Sequence, residues 1–379
     1  MLSASITAPP LTYHPHRHPM VNFYTWNGVT ARTRAKHEAI LNRFLAYRGQ
    51  SRGVANPSLI PPPYGDEILE WLAVSAEFVQ ASTVMSWMGS LRAALADFHI
   101  DTSCFDSRDF DMFRQGIKRV KGEPAPRTAL PITLPILLII NRTILQRGPI
   151  SPQERLVLAS AYALAFACFL RIGEITYTSF DPLKHLQRKD VLSTPQGMAI
   201  RLKGSKMDPS RKGIILPLPV ITRADQQHVC PSTLLRLMLT NIPGGPDDPL
   251  FFFPSGRKGF EAKRLVRECR QALPANGFAL ADLDGRVFSG HSFRRGAATW
   301  GAKVGLDDRT IMLLGRWSLK SLPGGHQRYV DYTLEDRRAC LNQMFSPAPL
   351  AVPRIIGFDM NDNDDGGDHE FIDDGCPPQ

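Results

Sequence analysis

Residues 156–170, LVLASAYALAFACFL, constrain this chain more than any other stretch. Wound as a helix, the run offers water no polar face, so it must be enclosed on all sides. It is shorter than the ~20 residues a bilayer requires, and Arg155 and Arg171 flank it. The reading is therefore a helix at the centre of a core, not a membrane span. A core able to surround such a helix needs a substantial domain, and 379 residues allow two domains of ordinary size.

Before that run the pattern is helical from about residue 21 to 120. TARTRAKHEAILNRFLAYRG (30–49) puts Ile40, Leu41, Phe44 and Leu45 on one stripe and meets a glycine stop at Gly49. Pro-rich NPSLIPPPYG follows as a loop. DEILEWLAVSAEF (66–78) opens on Asp66 as N-cap. ASTVMSWMGSLRAALADFHI (81–100) starts from Ser82 or Thr83, and DFDMFRQGIKRVKG (109–122) ends in basic residues. Four or so short helices make a compact all-α module with Arg92, Lys118, Arg119 and Lys121 outside. GEPAPRTALP (122–131) has linker composition. Beyond it, ITLPILLIINRTIL precedes the apolar helix, and GMAIRLKGSKMDPSRKGIILPLPV (197–220) reads as two strands joined by a basic turn. Helical patterns return to about Phe345. The expected domains are a disordered leader (1–20), a helical domain (21–121), a linker (122–131), a second domain (132–346) and a disordered acidic tail (347–379).

The net charge of +9 is unevenly spread: the tail after Arg354 holds eight Asp/Glu and no Lys/Arg. Residues 1–354 therefore carry +17, a body suited to a polyanion, most commonly nucleic acid. Six cysteines without a CxxC pair argue against a zinc ribbon and a disulfide framework, and for a reducing compartment. His14, His16 and His18 alternate with proline in a flexible tract, which fixes no ligand geometry. No metal site is expected.

Four stretches remain that could carry chemistry. In CFLRIGEIT, Arg171 stands where the apolar helix leaves the core, with Glu174 three residues on to hold it; alone, this is an ordinary i, i+3 ion pair. The hairpin turn carries Lys203, Lys206, Arg211 and Lys212, which alone make a solvated basic tip. FSGHSFRRGAATW (288–300) puts His291 and Arg294 on one helical face, with Arg295 and Thr299 alongside. LLGRWSLKSLPGGHQRYVDYT (313–333) offers Trp317 as an indole donor and Tyr329 or Tyr332 as a phenol.

In that order, LRIGEI, LKGSKMDPSRKG, SGHSFRRGAA and LGRWS with a following tyrosine resemble the boxes of the tyrosine recombinase (phage integrase) family. GHSFRRGAAT and LGRWS look closest to eukaryotic crypton-like mobile-element recombinases. The likeness spans 30–345, with its specific motifs in the second half. It implies a mainly α, two-domain fold: an N-terminal all-α SAM-like core-binding module and a C-terminal α+β catalytic domain of the DNA breaking–rejoining type with a small β-hairpin or sheet. It also implies double-stranded DNA as partner, a homotetramer on DNA, no cofactor, no membrane, and a nuclear location for a eukaryotic element.

The residue types suit that chemistry. Attack on a phosphodiester gathers charge on the non-bridging oxygens, which arginine forks, an imidazole and an indole N–H can stabilise. A tyrosine nucleophile conserves the bond as a phosphotyrosine, and a lysine can protonate the leaving 5′-oxygen. The resemblance makes Arg171 and Arg294 the phosphate ligands, His291 an acid/base or phosphate donor, Trp317 the occupant of the family's His/Trp position and Glu174 a brace. Lys206 is the implied general acid with Lys203 its competitor, and Tyr329 the nucleophile with Tyr332 its competitor. Arg211, Lys212 and Arg295 join Arg92, Lys118, Arg119 and Lys121 as DNA-contact candidates. The chain departs from the family at LPGG (322–325), which lengthens the connection from Trp317 to the tyrosine. That departure leaves open a second reading, a catalytically inactive DNA-binding remnant.

Overall fold

The computed structural model describes residues 16–53, 58–122, 129–195, 197–203, 213–254, 259–282, 285–317 and 333–346. The chain divides into two compact units, Met1–Thr128 and Ala129–Gln379.

Among the described residues, five α-helices build the first unit: α1 (Pro19–Asn27), α2 (Ala31–Arg52), α3 (Gly65–Phe78), α4 (Ala81–Asp97) and α5 (Arg108–Lys121). Their apolar stripes meet in one core, where Ile40, Leu41 and Phe44 of α2 pack with Ile68, Trp71 and Leu72 of α3 and Val84, Met88, Leu91 and Leu95 of α4. Several helix ends differ from the sequence expectation. Gly49 does not stop α2: it lies buried within the helix, which runs one turn further to Gly53 in the left-handed conformation (φ 64°). Just before Gly49, Arg48 points inward. Its Nε donates to Glu67 Oε1 of α3 at 2.9 Å, while Nη1 and Nη2 donate to Ser58 O and Pro61 O at 2.6 Å each. One guanidinium thus ties two helices to the proline-rich loop. The N-caps also shift, to Tyr64 for α3 and Gln80 for α4, which leaves Asp66 inside the first turn of α3 near its positive dipole end. Ser107 caps α5 by accepting from the Phe110 N–H.

The second unit is built around the apolar run. It forms α7 (Pro152–Ala167), and every residue from Val157 to Ala167 is buried. Around it lie α6 (Leu134–Gln146), α8 (Pro231–Asn241), α9 (Ala262–Ala272), α10 (Ser292–Lys303), α11 (Asp308–Gly315) and α12 (Leu334–Met344). Tyr162 stacks on Phe293 of α10 with ring centroids 5.2 Å apart, and its hydroxyl donates to Leu265 O of α9 at 2.7 Å. Buried Asn141 on α6 donates its amide N–H groups to Ala159 O and His228 O, so its polar nitrogen is satisfied inside the core.

The expected pair of strands is present as β2 (Gly197–Leu202) and β3 (Ile214–Pro217), and a third strand, β1 (Val191–Thr194), extends the sheet. Pairing is antiparallel in the order β1-β2-β3, with Val191 opposite Ile200 and Ile200 opposite Leu216. β1 escapes a periodicity search because VLST is only four residues long. Ile200, Leu202 and Leu216 face the core. Helix α12 lies against β3, where its buried Arg338 donates to Leu218 O and Met198 O. The Trp300 indole of α10 donates to Met344 O at the helix's other end. Helix α12 buries Leu341 and Met344, with Phe345 just past its end, in the core of its own unit.

Candidate active site

Three turns of the second unit converge. The first follows α7. Cys168 ends the helix and Phe169 turns left-handed (φ 51°), so the carbonyls of both residues leave the helical ladder. Arg171 then opens a 3₁₀ turn, Ile172–Glu174, in which the Glu174 carboxylate accepts the Arg171 N–H at 2.9 Å.

The second turn is the start of α10. His291 sits at the N-cap, its side chain exposed. The helix approaches the first turn closely because Gly290 has no side chain: a Cβ there would stand 2.4 Å from Ile172 Cγ2. Gly296, inside α10, allows a second close approach, to the backbone of Ile132, where a Cβ would meet Ile132 O at 1.9 Å. Ile132 N–H in turn donates to Ser292 O at 2.9 Å.

The third turn closes α11. Asp307 caps the helix start, accepting the Thr310 N–H and hydroxyl at 2.9 and 2.7 Å. At the other end Arg316 is left-handed (φ 59°), with Arg316 N–H donating to Leu313 O and Trp317 N–H to Met312 O. That pair of bonds is a Schellman closure, a position where glycine is the usual left-handed residue. The Trp317 ring folds back over Gly315, where a Cβ would fall 1.8 Å from Cζ3.

Arg294 joins the three turns. It is 4% exposed; Nη1 donates to Phe169 O at 2.9 Å and Nη2 to Gly315 O, and the guanidinium stands 4.3 Å from the Trp317 ring centroid. Trp317 also meets Phe169 edge-on at 6.4 Å. Its indole nitrogen is buried and has no hydrogen-bond partner among the described residues. Arg316 grips the same turn one residue earlier. Nη1 donates to Cys168 O at 3.1 Å and Nη2 to Glu174 Oε2 at 2.7 Å, while Arg171 Nη1 lies 3.6 Å from Glu174 Oε1. Arg171 and Arg316 thus share the Glu174 carboxylate, while Arg294 grips the carbonyls of the turns on which they stand, a surplus of positive charge in a partly desolvated place. Arg337 of α12 adds to it: burial and the charge of Arg316 hold its guanidinium below the usual arginine range. Such a cluster is chemically suited to an anion with several oxygens, and phosphate is the natural example.

The structure thus brings Arg171, Glu174, Arg294 and Trp317 together, with His291 exposed at the adjacent N-cap. His291 and Arg294 do not present a common exposed face, since Arg294 turns inward. Arg295 is half-buried, and burial together with Arg286 lowers its affinity for the proton. Lys203 follows β2 and is tied down: its ammonium lies 3.1 Å from Asp190 Oδ2 and donates to Pro182 O at 2.6 Å and to Gln187 Oε1. Lys206, Arg211, Lys212, the LPGG stretch, Tyr329 and Tyr332 lie outside the described residues. In the first unit, Arg92 is held by Asp106 through two bonds of 2.8 and 2.5 Å, and Lys121 donates to Val79 O. Lys118 and Arg119 are exposed on the last turn of α5. Arg316 and Arg337 are absent from the sequence candidates. For Arg316 a signal existed, a basic residue directly after a glycine at a helix end, but it reads as a helix-dipole partner.

The chain has a lambda-integrase-type fold, mostly helical with a small three-stranded sheet. A solved lambda integrase dimer bound to a COC′ core site superposes with a TM-score of 0.51 at 15% identity, covering 81% of this chain and 92% of that one. Among curated proteins the chain is similar to an integrase/recombinase xerD homologue of Selenomonas ruminantium, 29% identical over 212 residues. The match covers 53% of this chain and 59% of that relative, so less than two thirds of the relative's length is represented. No family model matches the chain.

Proposed function

We propose that the chain is a tyrosine recombinase that cuts and rejoins DNA strands through a covalent 3′-phosphotyrosine intermediate. One observation carries this reading: Arg294 hydrogen-bonds the turns that follow α7 and α11 and stacks on Trp317, so three separate sequence boxes form a single cationic cluster. In this reading Arg171 and Arg294 hold the scissile phosphate, and the unpartnered Trp317 indole N–H donates to one of its oxygens. His291, exposed beside them, donates to the same group or moves its proton. Tyr329 attacks phosphorus, Lys206 protonates the departing 5′-oxygen, and religation reverses the step as in type IB topoisomerase chemistry. Positive charge around the phosphate lowers the cost of the pentacovalent dianion and favours the phenolate. The likeness to the xerD homologue and the lambda-integrase-type fold support this assignment, as does the +17 charge of residues 1–354. The crypton-like wording of GHSFRRGAAT and LGRWS is the basis for proposing kinship with mobile elements. On DNA the protein would act as a homotetramer, and each phosphate contact would add to the salt dependence of binding.

The test is incubation of the full chain with negatively supercoiled plasmid, quenched in detergent, with a search for a covalent protein–DNA adduct. The wild type should form it and Tyr329→Phe should not. An adduct lost in Tyr332→Phe but kept in Tyr329→Phe moves the nucleophile to Tyr332. Plasmid binding without an adduct in the wild type favours the DNA-binding remnant.

A further inference from the structure

We infer that Arg316 is a positioning residue that holds Arg171 in place through Glu174, an assignment that rests on reading Arg171 as a phosphate ligand. The geometry at the carboxylate is the basis. Glu174 Oε2 accepts from the Arg171 backbone N–H at 2.9 Å and from Arg316 Nη2 at 2.7 Å, leaving Oε1 turned to the Arg171 guanidinium at 3.6 Å. Without Arg316, Oε2 retains only the backbone N–H, and the carboxylate is free to rotate about its last torsion.

Two further features mark the arginine as used. A non-glycine residue at φ 59° in a Schellman closure is disfavoured, yet the chain puts its glycine one position earlier, under the Trp317 ring, and arginine in the strained place. The side chain is then 8% exposed, and its second fork nitrogen takes the Cys168 carbonyl at 3.1 Å. A planar fork can hold a carbonyl and a carboxylate together in one fixed relation, whereas an ammonium is a point charge on a flexible stem. Arg316 therefore sets the carboxylate against the same turn that Arg294 grips at Phe169 O. The two arginines pin adjacent carbonyls, Cys168 O and Phe169 O, and Arg171 follows in the turn they fix. A direct phosphate contact by Arg316 is the competing role. That role predicts a loss of plasmid affinity, whereas a positioning role predicts a loss of rate at saturating plasmid.

The experiment follows adduct formation on supercoiled plasmid by the full chain, with Arg316→Gly, Arg316→Lys, Glu174→Gln and the double variant Arg316→Gly/Glu174→Gln. Glycine suits the left-handed backbone, so it removes the guanidinium without straining the closure. Arg316→Gly should slow adduct formation at saturating plasmid about 10–100-fold, the scale of a misplaced catalytic group, without a matching loss of plasmid affinity. Arg316→Lys should recover only part of the rate. The double variant should be no slower than the worse single variant, since both act through one carboxylate. Wild-type rate in Arg316→Gly overturns the inference, as does a double variant that loses the product of the two factors, or a loss confined to affinity. A crystal structure of Arg316→Gly reads the same relay without turnover. Glu174 should swing away from Arg171, and a carboxylate left in place on Arg171 overturns the inference. If the wild type forms no adduct while Glu174 still moves in the variant, the recombinase reading fails and the relay from Arg316 to Arg171 stands.

Discussion

At the scale of single residues, missing side chains govern this site as much as present ones. Gly290, Gly296 and Gly315 each stand where a β-carbon would collide with Ile172, Ile132 or Trp317. Gly315→Ala should drive the Trp317 ring off its seat and away from Arg294. Lost stacking and overpacking together predict a destabilisation of about 1–3 kcal/mol, read by thermal melting, and loss of the plasmid adduct. An unchanged melt with full adduct formation would contradict the packing described. Glycines in GHSFRRG and LGRW are visible in the sequence, but which atoms they make room for is not. The same limit explains why Arg294 was legible as a functional candidate while its inward course was not: spacing tells which residues share a helical face, not whether that face meets water. Arg316 illustrates the limit most sharply, since its role depends on Glu174, 142 positions away in the chain.

At the scale of elements, period and composition were strong guides to existence and weak guides to ends. The apolar run could only be a central helix, and α7 is one. The stripes of α2, α3 and α4 fall where the 3.6-residue pattern puts them. Gly49 was misleading because a glycine inside a helix, flanked by good helix formers, costs only about 1 kcal/mol. Tertiary bonds from Arg48 in that same turn outweigh it. Arg48 is 2% exposed and satisfies Glu67, Ser58 and Pro61 together. Arg48→Met should therefore destabilise the first unit by about 3–5 kcal/mol, because it strands a buried carboxylate. Arg52 also touches Glu67, at 2.9 Å, and moderates that loss. Denaturant titration of the full chain should show the first unit unfolding earlier in the variant, and a superposable titration would refute the account.

At the scale of the whole molecule, histidines tie stability to pH. Burial lowers the proton affinity of His37 in the first unit and of His185 and His228 in the second. Unfolded histidine takes its proton near pH 6.5, while these folded ones resist it until lower pH. The unfolded chain thus binds more protons in that window, and stability falls as pH drops below about 6.5. Melting temperature should decline from pH 7.5 to 5.5, and the decline should be shallower in His228→Gln, whose amide can still donate to Leu138 O. An identical slope in that variant would remove His228 from the account. The chain divides between Thr128 and Ala129, inside the stretch of linker composition at 122–131, and both the linker residues and the basic excess are read from the sequence without knowing what they touch.

The bond between Arg316 and Glu174 also leaves a trace that a laboratory assay does not need to find. Two positions that hold each other across 142 residues cannot drift independently, so descendants of a common ancestor should change them as a pair. Where an acid three places after the first arginine is lost, the basic residue between glycine and tryptophan should be released to become an ordinary glycine or asparagine. Reading these two columns together across many genomes would show whether evolution has treated the contact as one unit.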